Sequence, residues 1–190
     1  MKELIVLVAQ DLLYVLVLVA AGVWLTRDRR GKVGLAAEGI VGLAIVGIGI
    51  LLAGHLHSDP RPFVHDPHST PLFAHPADNG FPSDHSAAAG LLTALVLRYK
   101  RWLGAAVGAG AVAIAWARVA AHVHHAQDVA AGLGIGLAAG VLAAWLVHRL
   151  IRRLELAAPH RWAMARGPSA GPGDGDQADH PDRVGQQHHE

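Results

Sequence analysis

Two stretches of 22 residues, Leu4 to Leu25 and Leu35 to Leu56, carry only one charge each, Asp11 and Glu38. A helix rises about 1.5 Å per residue, so either stretch could cross roughly 30 Å of hydrocarbon. Lipid offers no water to backbone N–H and C=O groups, and the helix satisfies them internally. Three more apolar runs follow: His85 to Leu97, which is short, Leu103 to Ala121, with Arg118 near its far end, and Val129 to Val147, with no charge. With 52% hydrophobic and 16% charged residues and a mean hydropathy of +0.31, the chain groups with membrane proteins. The expected fold is all-α, a polytopic membrane helix bundle of about five transmembrane helices within residues 1–156. From Pro159 onward the sequence turns to Gly, Pro, Asp, Gln and His. That composition is too polar for a core, and residues 157–190 are expected to form a disordered cytoplasmic tail.

Charge sets the expected orientation. Lys2 and Glu3 cancel, whereas Arg27, Arg29 and Arg30 follow the first apolar stretch, which favours an uncleaved anchor over a signal peptide. Arg98, Lys100 and Arg101 follow the third run, and Arg149, Arg152 and Arg153 follow the fifth. The positive-inside rule then puts all three basic clusters in the cytoplasm and the N-terminus outside. By alternation, the segments His57 to Asp84 and His122 to Asp128 face outward. A net charge of +1, with basic residues spread over loop ends, argues against a nucleic-acid partner. The absence of cysteine excludes disulfides and thiolate metal sites. Asp11 and Glu38 would each cost on the order of 3 kcal/mol at mid-bilayer, so they should face the bundle interior or lie near a helix end. The abundant Gly and Ala suit close helix packing in lipid. Oligomeric state is left open.

The two outward segments concentrate the polar chemistry. In "HSDPRPFV", Arg61 stands between two prolines, which stiffen the backbone and fix where the guanidinium points. In "PSDH", Ser83 is a good N-cap, and the first-turn N–H groups behind it can face an anion. "ARVAAHVHHAQD" supplies Arg118, His122, His124, His125 and Asp128. His124 and Asp128 are four apart, so on a helical turn the carboxylate can hold the ring. Two fixed cations, a hydroxyl, a helix N-terminus and imidazoles together suit phosphate. His65, His68, His75, His122 and His125 read as polar caps at the interface.

The pattern resembles the type 2 phosphatidic acid phosphatase superfamily over roughly residues 35 to 145. Its three motifs end in Arg-Pro, contain Pro-Ser-Gly-His, and run Ser-Arg, five residues, His, three residues, Asp. Here they match "GHLHSDPRP", "PSDH" and "ARVAAHVHHAQD", and the third keeps both spacings. "DPRPFV" and "HPADNGFPSDHS" are most similar to the bacterial undecaprenyl pyrophosphate phosphatases linked to bacitracin resistance. The sequence departs from the motifs at Gly54, where the first has Lys, at Asp84, where the second has Gly, and at Ala117, where the third has Ser. His55 or His57 could replace the missing cation.

The resemblance implies a membrane lipid phosphatase that hydrolyses undecaprenyl diphosphate to undecaprenyl phosphate through a phosphohistidine. His124 would be the nucleophile, Asp128 its support and His85 the acid and base. Arg61, Ser83 and Arg118 would bind phosphate. No metal or cofactor is implied, and the partners are the lipid substrate and membrane lipids. Phosphatidylglycerophosphate and phosphatidic acid are alternative substrates. Two other readings stay open: a membrane protein holding a metal through His124, His125 and Asp128, and a relative that binds lipid phosphate without hydrolysis.

Overall fold

The computed structural model describes residues 1–157 apart from Pro67, and the polar stretch after Ala157 lies outside the described residues. Among the described residues there are seven helices and no strand: α1 (Lys2–Gln10), α2 (Leu12–Leu25), α3 (Arg29–Leu56), α4 (Pro62–His65), α5 (Asp84–Tyr99), α6 (Arg101–Ala120) and α7 (Ala126–Ala157). The chain is an all-α membrane bundle. Helices α3, α6 and α7 are each long and apolar enough to cross a membrane, and the bent pair α1–α2 makes a fourth candidate. At 16 residues, or about 24 Å, α5 is shorter than a usual span. Ile40, Leu43, Leu51, Val112, Trp116 and Val141 are exposed on the outer faces, as lipid-facing side chains are.

One expected helix is broken. Leu4 to Leu25 does not run straight, because Asp11 interrupts it and α1 and α2 meet at 43°. The break leaves the Asp11 carboxylate exposed, where a charge costs least. Glu38 instead faces the bundle interior, 2% exposed. It accepts from Tyr99 Oη at 3.2 Å and pairs with Arg98 Nε at 3.2 Å. Arg27 lies over the same Tyr99 ring, so two of the basic clusters gather at one end of the bundle.

The opposite end is shaped by glycine. A methyl group at Gly136 would meet the Ala87 carbonyl, one at Gly132 the Ser83 carbonyl, and one at Gly90 the Leu133 carbonyl at 2.6 Å. Helices α5 and α7 therefore touch backbone to backbone, the close approach that small residues permit in lipid. Their first turns are tied as well, since the Ser83 N–H donates to the Asp128 carbonyl at 3.0 Å. Between α6 and α7 the chain reverses at His122, whose φ of 58° is the left-handed cap conformation. The Val123 N–H then donates back to the Arg118 carbonyl at 3.2 Å.

Gly136→Val is expected to splay α5 from α7 and destabilise the protein by about 1–3 kcal/mol. Gly134 has open space around it, so Gly134→Ala serves as the control and should cost little. Unfolding of the two variants in detergent checks this.

Candidate active site

His124 stands two residues before α7 rather than on it, so the shared helical face expected for His124 and Asp128 is only approached. The reversal at His122 carries the ring back over the last turn of α6. There its Nε2 lies 3.3 Å from Arg118 Nη2 and 3.3 Å from Arg61 Nη1. A guanidinium can only donate, so Nε2 must be the accepting nitrogen and the ring proton belongs on Nδ1. That nitrogen faces Asp128 Oδ2 at 3.4 Å, near but too poorly aligned for a good hydrogen bond. Catalytic hydrogen bonds often tighten only around substrate. The same Oδ2 accepts from the His125 N–H at 2.7 Å.

These ionisable groups are buried: Arg118 is 2% exposed, His124 3%, Arg61 6% and Asp128 0%. Burial at that depth demands compensation. Arg61 donates through Nε to Asp78 Oδ1 and through Nη1 to the Val123 carbonyl, both at 2.8 Å. Arg118 donates to the Ala9 carbonyl of α1 at 3.3 Å. Burial lowers the pKa of His124 first; Asp128 opposes this, while Arg118 and Arg61 add to it, and the net shift is downward. The ring is therefore neutral at neutral pH, with its lone pair available. For Asp78, burial acts to raise the carboxyl, and the bond and charge of Arg61 outweigh it, so the group stays ionised.

Ser83 is the N-cap of α5, its Oγ accepting from the Ser86 N–H at 3.5 Å, and it is fully buried. The same oxygen keeps an O–H donor. His85 is half-buried in the first turn of α5 and lines a pocket of about 410 Å³ with Arg118, His75, Phe73, Tyr14 and Asp11. Asp84 is exposed.

Several site residues escaped the sequence reading. His75, expected to be a polar cap, has its Nε2 3.0 Å from Arg118 Nη2 and its ring 6.1 Å from that of His124. Asp78 pairs with Arg61 across 17 positions. Asn79 clamps the Arg61 segment, its Oδ1 accepting from the Asp59 N–H at 2.9 Å while its Nδ2 donates to the Gly54 and His57 carbonyls. The sequence signals for these residues were their position in the outward segment and the stretch "HPADNGFPSDHS" that contains them. His55 and His57 are exposed, and His57 packs edge-on against Phe81. The third group beside the arginines is His75 instead.

Among the described residues, Asp59, His125 and Asp128 bring ligand atoms within 4.8 Å of one another, a group that leaves out His124. His125 Nδ1 already lies 2.9 Å from Asp59 Oδ2, which also accepts from Gln127 Nε2 at 2.6 Å. His124, which the alternative metal-binding reading joined to His125 and Asp128, has two guanidiniums on its accepting side instead.

The PAP2 superfamily pattern matches residues 35–152. YbjG of Escherichia coli is 34% identical over 164 residues, covering 82% of this chain and 80% of its own length. The undecaprenyl-diphosphatase BcrC of Bacillus subtilis is 30% identical over 130 residues, covering 68% of this chain and 65% of its own. Among solved structures, Aquifex aeolicus LpxE superposes with a TM-score of 0.55 at 22% identity, covering 74% of this chain and 92% of its own, a likeness of fold. The chain belongs to the PAP2 superfamily of membrane phosphatases.

Proposed function

We propose that this phosphatase removes the terminal phosphate of undecaprenyl diphosphate, leaving undecaprenyl phosphate. The observation that carries the chemistry is the accepting Nε2 of His124, set between Arg61 and Arg118 with Asp128 behind Nδ1. Similarity to a relative named undecaprenyl-diphosphatase supports the choice of lipid.

In the first step His124 Nε2 forms a bond to phosphorus and the bond from phosphorus to the bridging oxygen breaks. His85 delivers a proton to that leaving oxygen. In the second step His85 takes a proton from water, whose oxygen attacks phosphorus. The P–N bond breaks, and orthophosphate and neutral His124 are restored. Arg61, Arg118, the Ser83 hydroxyl and the first N–H groups of α5 hold the phosphoryl oxygens as charge develops. The reaction as written needs no metal, because the two guanidiniums supply the positive charge.

The proposed side is the outer leaflet. The site lies at the end of the bundle away from Arg27 and Arg98, and the positive-inside rule assigns those residues to the cytoplasm.

Purified His124→Ala should fold normally yet lose turnover by on the order of a thousandfold or more. The assay is phosphate release from undecaprenyl diphosphate, phosphatidylglycerophosphate and phosphatidic acid, with chelator present. Activity within about tenfold of the parent would remove His124 as nucleophile. Loss of the parent's activity in chelator, with recovery on adding Zn²⁺ or Mg²⁺, would show that a metal is required. Sidedness is tested in intact cells by single cysteines replacing the exposed Thr70 and Lys100 in this cysteine-free chain. An impermeant thiol reagent should label position 70 and spare position 100; the reverse would move the site to the cytoplasm.

A further inference from the structure

The site brings together three imidazoles, His75, His85 and His124, one more than the two-step reaction uses. His124 must be neutral to attack, and His85 must carry the proton it hands over. His75 has no part in either step. It nevertheless lines the pocket with His85 and Arg118, its Nε2 3.0 Å from Arg118 Nη2 and its ring edge-on to His124. Its Nδ1 is buried without a hydrogen bond of good geometry.

Charge balance gives this third imidazole something to do. The fixed cations are Arg61 and Arg118. Against them stand Asp78 on Arg61 and Asp128 behind His124, with Asp11 lining the pocket and Asp84 acting on Arg118 from outside. With the proton on His85 counted, the site is close to neutral before a phosphoryl group arrives with about 1.5 to 2 negative charges. His75 faces Arg118 from α6, Arg61 and Asp78 from the outward loops, His124 from the turn before α7, His85 from α5, and Tyr14 and Asp11 beside the α1–α2 break.

We infer that His75 is a phosphate-binding residue, which takes a proton from the aqueous phase as the substrate's phosphoryl group enters and donates Nε2–H to one of its oxygens. This rests on the proposed reaction for its division of labour among the imidazoles. The geometry supplies the coupling. With Nε2 accepting from Arg118, the ring is neutral. Once protonated, Nε2–H and the guanidinium would point donors at each other, an arrangement that becomes favourable only with an anion between them. Proton and anion therefore strengthen each other's binding, by equal factors. Burial depresses the His75 pKa first, and Arg61 and Arg118 add to that, while the Pro76 carbonyl favours the charged ring. A bound anion offsets the two cations.

Sulfate is the probe, because it remains a dianion across the imidazole range. Its affinity for the purified full-length chain is measured by calorimetry between about pH 5 and 8. The parent should bind more tightly as pH falls. His75→Gln should lose about tenfold in affinity at the acid end and little at the alkaline end. His75→Lys should bind tightly throughout. Superimposable curves for the parent and His75→Gln, or a parent that binds no sulfate at any pH, would overturn the inference. In the parent itself, sulfate should raise the NMR titration midpoint of the His75 ring; an unmoved midpoint counts against it even if the variants misfold. Sulfate binding of the predicted form in a parent that hydrolyses none of the three lipids would uphold His75 and defeat the phosphatase reading.

Discussion

Two buried guanidinium groups point at one imidazole nitrogen, and the rest of the structure is arranged to keep them there. Like charges a few ångströms apart repel by a few kcal/mol even at an effective dielectric constant of about 20. The repulsion is contained by four partners from three parts of the chain: Asp78, the Ala9 carbonyl, and the Val123 carbonyl with the adjacent ring of His124. None of these discharges both arginines. A phosphoryl group would, and its oxygens would meet donors already in place, which is how preorganised sites favour developing negative charge.

The scaffold explains why those partners coincide. Glycines at 90, 132 and 136 let α5 and α7 approach until the Ser83 N–H reaches the Asp128 carbonyl, which fixes the cap of one helix against the first turn of the other. The left-handed turn at His122 folds His124 over Arg118. The break at Asp11 brings the end of α1 close enough for the Ala9 carbonyl to accept from Arg118. A side chain added at Gly136 would press on Ala87, one turn into α5 from its Ser83 cap.

Much of this was legible in the sequence where a local rule applied. Hydropathy found the long apolar helices, because burial in lipid leaves an uninterrupted apolar run. The N-cap at Ser83 and the four-residue spacing of His124 and Asp128 are short-range geometry, readable from residue type and separation. The break at Asp11 was missed because a single carboxylate hardly changes the average over 22 residues. His75 and Asp78 were missed for another reason. They lie on a loop without periodicity, and their partners are 43 and 17 positions away. The Ala9 carbonyl could not be found at all from residue type, since every residue carries that group.

The central claim is that His124 forms a bond to phosphorus. The direct measurement is mass spectrometry of the protein quenched in alkali during turnover of undecaprenyl diphosphate, in the parent and in a His85→Ala background where water loses the base that activates it. A phosphoryl group on Nε2 of His124, absent from unreacted protein, is the expected result. Continued release of phosphate with no phosphoryl group on any histidine, or with the group on His75 and not on His124, would contradict it.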